Sequence, residues 1–319
     1  MIRLSEVIHV RVQKNNAQKA LERLKKQGYF LPQFEIRREG EHILIPVSKN
    51  IDNEENIILE SEPREMKIMP QGHAGSFDLI GDIAIIHERK RIDHDFMVQF
   101  ILRSKGNIRT IYLDMGIRGE TRLRDLKLLY GEDNPVTMYR ENNILMQVDV
   151  KKAYFSPRLS TERYLVSRNV EDGEYIFDMF AGIGPFTLNI AKTRKCRIAA
   201  CDINSDAVEL LRHNLSINKL QSDVDIYEGN SYKIIKELRP FNRIIMNNPV
   251  NQYESLDEII KSLTAGGKLN IYMVEDQETI EEKMEYFISK GMFLETKRVV
   301  HGYSRSKSMY SLQYRRDRI

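Results

Sequence analysis

The chain has 319 residues, 41% of them hydrophobic and 30% charged, which suits about two domains with real cores and excludes an intrinsically disordered protein. Two cysteines are too few for a disulfide framework or a four-cysteine zinc site, and seven scattered histidines give no metal-ligand pattern, so no metal is expected. The net charge of +3 alone says nothing about nucleic acid, and no stretch approaches the roughly 20 apolar residues of a membrane span.

The first residues carry charges that break every apolar run, which is not the pattern of a signal peptide, so we expect a cytoplasmic protein. A monomer is expected as well. Residues 1–62 are predicted to form a small α+β domain. A strand (VIHVRV) leads to an amphipathic helix (NNAQKALERLKKQG) closed by Gly28, and a strand (HILIPV) follows. The acidic segment IDNEENIILESEPRE is typical of a linker. Three basic stretches, RVQKNNAQKALERLKKQ, RGETRLRDLK and YRRDRI, are consistent with nucleic-acid contacts or with ordinary solvated faces.

The next predicted domain, residues 63–150, is a compact mixed α/β unit without a cofactor motif. Its strands are FDLIGDIAIIH, IRTIYLDM, RLRDLKLLYG and ILMQVDV, with the helix DHDFMVQFILRSKG between the first two. In residues 151–319 strands and helices alternate, and a helix over ESLDEIIKSLTAGG precedes the strand KLNIYMV. Such alternation predicts an α/β fold with a doubly wound parallel sheet that binds ligands at the carboxyl ends of its strands.

The segment DMFAGIGPF, which starts at Asp178, is the most informative motif. Gly182 and Gly184 allow the backbone to approach a ligand that a Cβ atom would keep away. The third glycine of a dinucleotide-binding turn is replaced by Thr187, which argues against a nicotinamide-dependent dehydrogenase. Asp202 ends the next strand, where a carboxylate can accept hydrogen bonds from a ribose diol. The combination resembles S-adenosylmethionine-dependent methyltransferases, and the alternative is a tight turn with Asp202 as a helix cap.

The segment YFSPRLSTER lies directly upstream. Ser156 and Pro157 form the pattern of a helix start, with serine at the N-cap and proline at the first helical position. Arg158 and Glu162 are then four residues apart on one helix face, where a surface ion pair is the simplest interpretation. Since this helix leads into the cofactor strand, Glu162 is also a candidate proton acceptor beside the methyl donor.

These motifs in this order, with GDIAII, GETRLRDLKLLYGED, RENN, the strand-tip DIN and NNP, resemble the archaeal and eukaryotic tRNA (guanine-37, N1)-methyltransferases. The resemblance covers residues 65–319 well, and the first 60 residues look like the small N-terminal domain of that family. It implies a class I, Rossmann-like methyltransferase domain at 151–319 preceded by two smaller α+β domains. It also implies S-adenosylmethionine as methyl donor and tRNA as partner, with the N-terminal domain docking on the tRNA.

The resemblance also implies roles for individual residues. Glu162 falls on the general base, and Arg122, with Arg124 as the alternative, falls on the arginine that stabilises guanine O6. The catalytic set is Glu162, Arg122, Asn247, Pro249 and Tyr154. The cofactor-binding set is Arg158, Asp178, Phe180, Gly182, Gly184, Asp202, Ile203, Asn230 and Asn247. Asn230 stands where many members have an aspartate, and its amide can still donate to an adenine ring nitrogen.

Guanine chemistry agrees with these roles. N1 carries a proton that must leave before methylation, and its loss places negative charge on O6, so the reaction needs a carboxylate and a facing cation. Val250 follows Pro249 where many amine-methylating enzymes carry an aromatic residue, which favours a ring nitrogen over an exocyclic amine. The alternatives are additional methylation of a carbon of the wyosine precursor at the same nucleotide, an RNA exocyclic-amine methyltransferase, and a methyltransferase fold kept as an RNA-binding module.

Overall fold

The computed structural model describes residues 7–31, 34–48, 57–60, 76–88, 93–119, 121–238, 240–248, 256–304 and 306–317. Contacts between Cα atoms divide the chain into two compact units, residues 1–74 with 99–106, and residues 75–98 with 107–319. The finer division at residue 150 stays a prediction. Within the described ranges, no helix is long and apolar enough to cross a membrane.

The first unit contains a four-stranded sheet in the order β2-β3-β1-β4 and one helix, α1. Their bounds are β1 Val7–Gln13, α1 Ala17–Lys26, β2 Arg37–Glu39, β3 His42–Val47 and β4 Ile57–Glu60. Val10, Leu24 and Ile45 form its small core. The predicted linker is wrong at β4, because the run IILE pairs antiparallel with the open edge of β1.

The second unit opens with a four-stranded sheet in the order β5-β6-β7-β8 and a hairpin of β9 and β10. The bounds are β5 Phe77–Ile80, β6 Ile83–His87, β7 Thr110–Arg118, β8 Leu123–Gly131, β9 Val136–Glu141 and β10 Ile144–Asp149. Helix α2, His94–Ser104, is divided between the units, with residues 99–104 in the first. FDLIGDIAIIH, predicted as one strand, is a hairpin, because Gly81 adopts a positive φ of 57° and turns the chain. Strand β9 was not predicted.

The predicted doubly wound sheet is confirmed as a seven-stranded sheet in the order β13-β12-β11-β14-β15-β17-β16. Strands β11 to β15 are parallel, and β17 pairs antiparallel with both β15 and β16. The strands are β11 Tyr175–Asp178, β12 Arg197–Asp202, β13 Asp223–Glu228, β14 Phe241–Met246, β15 Leu263–Glu275, β16 Met292–Gly302 and β17 Ser308–Arg316. The helices are α3 Ser160–Asn169, α4 Pro185–Thr193, α5 Ser205–Ser216, α6 Ser231–Ile234, α7 Leu256–Lys261 and α8 Gln277–Ser289.

Both faces of this sheet are buried, as a sheet with helices on each side requires. Phe177 and Ile244 pack into the cluster on one face, whereas their chain neighbours Ile176 and Ile245 pack into the cluster on the other. This arrangement fixes the strand ends that carry the candidate site. The helix predicted over ESLDEIIKSLTAGG is too long, because α7 ends at Lys261 and β15 begins at Leu263.

The mixed sheet and the doubly wound sheet share one core within the second unit. Ile85 of β6 and Met146 of β10 pack in the same buried cluster as Leu188 of α4 and Leu210 of α5. The burial of each such side chain contributes roughly 1.5–3 kcal/mol. The two sheets are therefore held firmly enough for residues from both to form one site.

Candidate active site at the carboxyl ends of the strands

The turn after β11 contains two glycines, Gly182 and Gly184, whose surroundings differ. Gly184, at φ 92°, is the N-cap residue of α4, and a Cβ added there would lie 2.4 Å from Cδ1 of Leu211. Gly182, at φ 55°, faces open space, where an added Cβ would meet only the carbonyl oxygen of Tyr154 at 3.9 Å. Gly184 thus lets α4 and α5 pack closely, and Gly182 leaves room for a ligand against the backbone.

Asp178 ends β11 and is almost fully buried. Its Oδ2 accepts a hydrogen bond from the Thr187 hydroxyl at 2.8 Å, and its Oδ1 has no partner within the described residues. Burial raises the pKa of Asp178 to about 7, and the nearby charge of Asp202 acts in the same direction. An unpartnered buried acceptor beside an open glycine turn suits a cationic or hydrogen-bond-donating ligand group.

Asp202 ends β12, next to this turn. Its Oδ2 accepts from the backbone N–H of Gly182 at 2.7 Å, and its Oδ1 accepts from that of Asn204 at 2.9 Å. Burial raises the pKa of Asp202, and these amides oppose the rise. The helix-cap interpretation is wrong, because Asn204 caps α5 by accepting from the Asp206 N–H. Each carboxylate oxygen keeps a second lone pair for a ligand hydroxyl.

Three further predicted cofactor residues lie on elements around this turn. Phe180 stands edge-on to Tyr232, with ring centroids 6.0 Å apart, and Ile203 is 48% exposed. The side-chain oxygen of Asn230 caps α6 by accepting from the Tyr232 N–H at 2.9 Å, which leaves its amide free to donate. The apolar surfaces, the donor and the strand-tip acid together fit an adenosyl group.

Arg158 does not pair with Glu162, so the interpretation as a surface ion pair within the helix is wrong. Its Nε lies 2.7 Å from Oδ1 of Asp78 on β5. Asp78 is buried, and Oδ2 also lies 3.1 Å from Nε2 of His87 and 3.2 Å from the Arg124 guanidinium. Although burial opposes it, contact with His87, Arg158 and Arg124 lowers the pKa of Asp78 to about 2. This network fixes the segment before α3 to the mixed sheet.

The two candidate arginines of the RLR sequence occupy different environments. The Arg124 side chain is 4% exposed, and it binds both Asp114, at 2.7 Å, and Asp78. It also donates to the Phe155 carbonyl at 3.3 Å. Arg122 is only half-buried and contacts no carboxylate in the described residues. The Arg124 guanidinium is therefore occupied by contacts that stabilise the fold, whereas Arg122 retains N–H donors for a ligand.

Arg122 joins Tyr154 and the loop after β14. Its guanidinium lies 5.2 Å from the centre of the Tyr154 ring, and it donates to Oδ1 of Asn248 at 3.4 Å. The backbone of Arg122 has φ 57°, a conformation that non-glycine residues rarely adopt outside functional sites and tight turns. Asn247 is half-buried at the end of β14, and Pro249 and Val250 lie outside the described residues.

Glu162 is 4% exposed in the first turn of α3. Its Oε2 lies 2.8 Å from the Arg298 guanidinium of β16 and 3.4 Å from the Tyr272 hydroxyl of β15. Burial raises the pKa of Tyr272, so its neutral hydroxyl donates to the carboxylate. Within the described part of the chain both donors reach Oε2, which leaves Oε1 for a proton from another molecule.

Sequence reasoning missed four residues of this site: Asp78, Asn248, Tyr272 and Arg298. Asn248 stands between two predicted residues, and its place in the NNP segment was the available signal. The other three come from strands whose pairing is set by tertiary contacts, so no local pattern identifies them. The described residues contain no group of three His, Cys, Asp or Glu side chains placed to bind a metal ion.

Family models match three successive parts of the chain. Residues 137–304 match the TRM5/TYW2 methyltransferase domain, residues 65–134 the TYW2 N-terminal domain, and residues 10–55 the tRNA methyltransferase 5 N-terminal domain. The order of these matches agrees with the resemblance found in the motifs.

Individual relatives extend the similarity. A tRNA (guanine(37)-N(1))-methyltransferase Trm5b from Pyrococcus abyssi is 37% identical over 254 residues, covering 75% of this chain and 76% of the relative. A tRNA (guanine(37)-N(1))/4-demethylwyosine(37)-methyltransferase Taw22 from Nanoarchaeum equitans is 36% identical, covering 66% and 73%. The crystal structure of wild-type Trm5b from Pyrococcus abyssi superposes with a TM-score of 0.69 at 31% identity, covering 97% of this chain and 98% of that one.

Proposed function

The chain belongs to the family of TRM5/TYW2 methyltransferases, and from this premise we propose that it methylates N1 of guanine at position 37 of tRNA. The observation that carries the proposal is the 37% identity to an enzyme named for this activity over 75% of the chain. The proposed methyl donor is S-adenosylmethionine. We further propose that it acts as a monomer in the cytoplasm.

The turn after β11 and the tips of β12 and β13 are proposed to hold the methyl donor. Asp202 would hold the ribose diol, and the open space at Gly182 would let the methyl donor approach the backbone. Asp178 provides a buried acceptor, and Asn230 donates from its amide to the adenine. Arg158 borders the site from its ion pair with Asp78. S-adenosylmethionine supplies an electrophilic methyl group when it is bound there.

A second group of residues, Glu162, Arg122, Asn247, Pro249 and Tyr154, is proposed to prepare the guanine. Oε1 of Glu162 accepts the N1 proton, since Oε2 is already engaged by Arg298 and Tyr272. Arg122 faces O6, where negative charge develops as that proton leaves, and Arg124 is held in the framework. Asn247 and Pro249 hold the edge of the base, and Tyr154 orients Arg122 through ring contact.

A second activity is supported by the Nanoarchaeum equitans relative, whose name includes 4-demethylwyosine methylation. Methylation of a carbon also releases a proton, from the carbon that accepts the methyl group, so this reaction would use the same donor site and would again need a proton acceptor. An enzyme with both activities would also methylate tRNA that carries 4-demethylwyosine at position 37. Incubation with each tRNA in turn separates the two reactions.

The proposal is tested by nucleoside analysis of unmodified tRNA transcripts incubated with enzyme and S-adenosylmethionine. We expect 1-methylguanosine from a transcript with guanosine at position 37 and no methyl incorporation when adenosine replaces it. N2-methylguanosine as the product would instead identify an exocyclic-amine methyltransferase. Binding of the transcript without methyl transfer would identify an RNA-binding module.

A further inference from the structure

The carboxylate of Glu162 is held by the carboxyl-terminal hairpin of the sheet, although Glu162 itself is on α3. Strand register places Tyr272 of β15 opposite Ser311 of β17, and Ser311 opposite Arg298 of β16. These three residues form one row across neighbouring strands, and side chains in such a row point to the same face. The row ends at Glu162, 2.8 Å from Arg298.

Glu162 is buried, so the partners that this row provides matter for its chemistry. A carboxylate taken out of water tends to bind a proton, and a protonated carboxyl group cannot accept another from guanine. The Arg298 guanidinium places an opposite charge beside the Glu162 carboxylate, and the Ser311 hydroxyl, 3.4 Å from the same guanidinium nitrogen, helps to orient it. Arg298 is itself about one-third exposed, so its own charge remains partly solvated.

We propose that Arg298 is the positioning residue of the proton acceptor: its ion pair with Oε2 fixes the Glu162 carboxylate and directs Oε1 toward the guanine N1 proton. This inference rests on the proposed function, because it assigns Arg298 a role through Glu162. The N1–H bond breaks and an Oε1–H bond forms. The electron pair left on N1 would form the new bond to the methyl group as the methyl–sulfur bond of the donor breaks, and that bond's electron pair would stay on sulfur to leave a neutral thioether.

The pH dependence of methylation has to be assigned among the charged and titratable groups on the elements around Glu162. Arg298 contacts it from β16, and the neutral Tyr272 hydroxyl contacts it from β15. Arg158, one turn earlier, is paired with Asp78. Burial and the charge of Arg158 lower the pKa of His301, so this imidazole is neutral near pH 7. Among these groups, Arg298 alone forms an ion pair with Glu162 in the described residues.

The test is to measure the single-turnover rate of methylation as a function of pH for the wild-type protein and for the variants Arg298→Gln and Arg298→Lys. Loss of an adjacent opposite charge is expected to move the acid limb of the profile about one to three pH units higher. The rate of Arg298→Gln should therefore fall below the wild-type rate on the acid side of the profile and recover toward the wild-type value at high pH. Arg298→Lys should shift the limb less, and S-adenosylmethionine affinity should stay unchanged in both variants.

Two controls make the outcome decisive. Arg315→Gln removes a guanidinium from the same hairpin, where it pairs with Glu295 at 3.1 Å, and should leave the profile unchanged. Combining Arg298→Gln with Glu162→Gln should lower the rate no further than Glu162→Gln alone. A wild-type profile for Arg298→Gln, or a loss that is equal at every pH and additive with Glu162→Gln, overturns the role of Arg298. If Glu162→Gln itself keeps the wild-type rate, the proposed proton acceptor fails as well.

Discussion

Two arginines separated by one leucine have different neighbours and therefore different expected roles. The sequence could nominate both Arg122 and Arg124 as the residue that faces O6, but it could not distinguish them. Their environments differ because Asp78 and Asp114, from two other strands, both contact Arg124. Those contacts depend on strand pairing, which residue order alone does not specify. Arg122 is therefore the arginine that we propose to face O6.

Replacement of each arginine should therefore change a different quantity. Arg122→Ala should reduce single-turnover methylation about 10²- to 10³-fold, as loss of an oxyanion-stabilising donor typically does, with little change in the free energy of unfolding. Arg124→Met should lower the free energy of unfolding by roughly 1.5–3 kcal/mol, because it removes the guanidinium that buried Asp78 and half-buried Asp114 share. Urea unfolding and rapid-quench kinetics measure both quantities. The reverse pattern would make Arg124 the residue that faces O6.

Asp202 offers a second prediction at the scale of single residues. Asp202→Ala should weaken S-adenosylmethionine binding about tenfold or more, since a hydrogen bond to a charged group contributes roughly 1.5–3 kcal/mol. Asp225→Ala is the matched control, because Asp225 lies on the neighbouring strand β13 in an exposed pair with Arg197. Calorimetric titration of both variants is the measurement. Equal affinity for the two variants would remove Asp202 from the donor site.

At the scale of elements, local sequence patterns predict the parallel strands and most helices because periodicity and turn residues mark them. The same patterns fail where pairing partners decide the structure. Gly81 divides one apparent strand into two, and Ile57–Glu60 becomes a strand only because the edge of β1 is open to it. The hairpin of β16 and β17, which supplies Arg298, was not identified at all. Its contribution to the site depends on register across three strands.

The turn before α4 allows a test of packing apart from backbone conformation. Gly184 and Gly173 have similar φ angles, 92° and 86°, but an added Cβ would meet Leu211 at position 184 and nothing within 4 Å at position 173. Gly173→Ala should lower the free energy of unfolding by about 1–2 kcal/mol through its left-handed backbone. Gly184→Ala should lower the free energy of unfolding by roughly 1–3 kcal/mol more than Gly173→Ala, because the added methyl group overpacks the contact with Leu211. Equal losses in urea unfolding would show that α5 adjusts freely.

At the scale of the whole molecule, the chain combines a methyl-transfer unit with a separate N-terminal unit. The residues proposed to hold the donor and the guanine all belong to residues 75–98 and 107–319. The first unit carries a helix, α1, with Arg23, Lys25 and Lys26 in its last turn. Similarity to the Pyrococcus abyssi structure extends over 97% of the chain, so the N-terminal unit is part of the shared architecture. We propose that this unit docks on the tRNA.

Deletion of residues 1–60 should raise the dissociation constant for tRNA and leave S-adenosylmethionine affinity unchanged. The salt dependence of tRNA binding should also become shallower, because fewer Lys and Arg contacts to phosphate release fewer counterions. Filter binding over a range of salt concentrations, with calorimetry for the donor, measures both effects. A truncated protein that binds tRNA as tightly as the full chain would contradict the docking role.

The central claim is that a buried carboxylate on α3 removes the N1 proton of guanine 37. The most direct measurement is the single-turnover rate of Glu162→Gln at saturating tRNA and S-adenosylmethionine, with Glu171→Gln, an exposed glutamate beyond the end of the same helix, as control. We predict a rate about 10²- to 10⁴-fold below wild type for Glu162→Gln, the usual contribution of a general base, with both affinities retained and the control unaffected. A Glu162→Gln enzyme that forms 1-methylguanosine at the wild-type rate would contradict the claim.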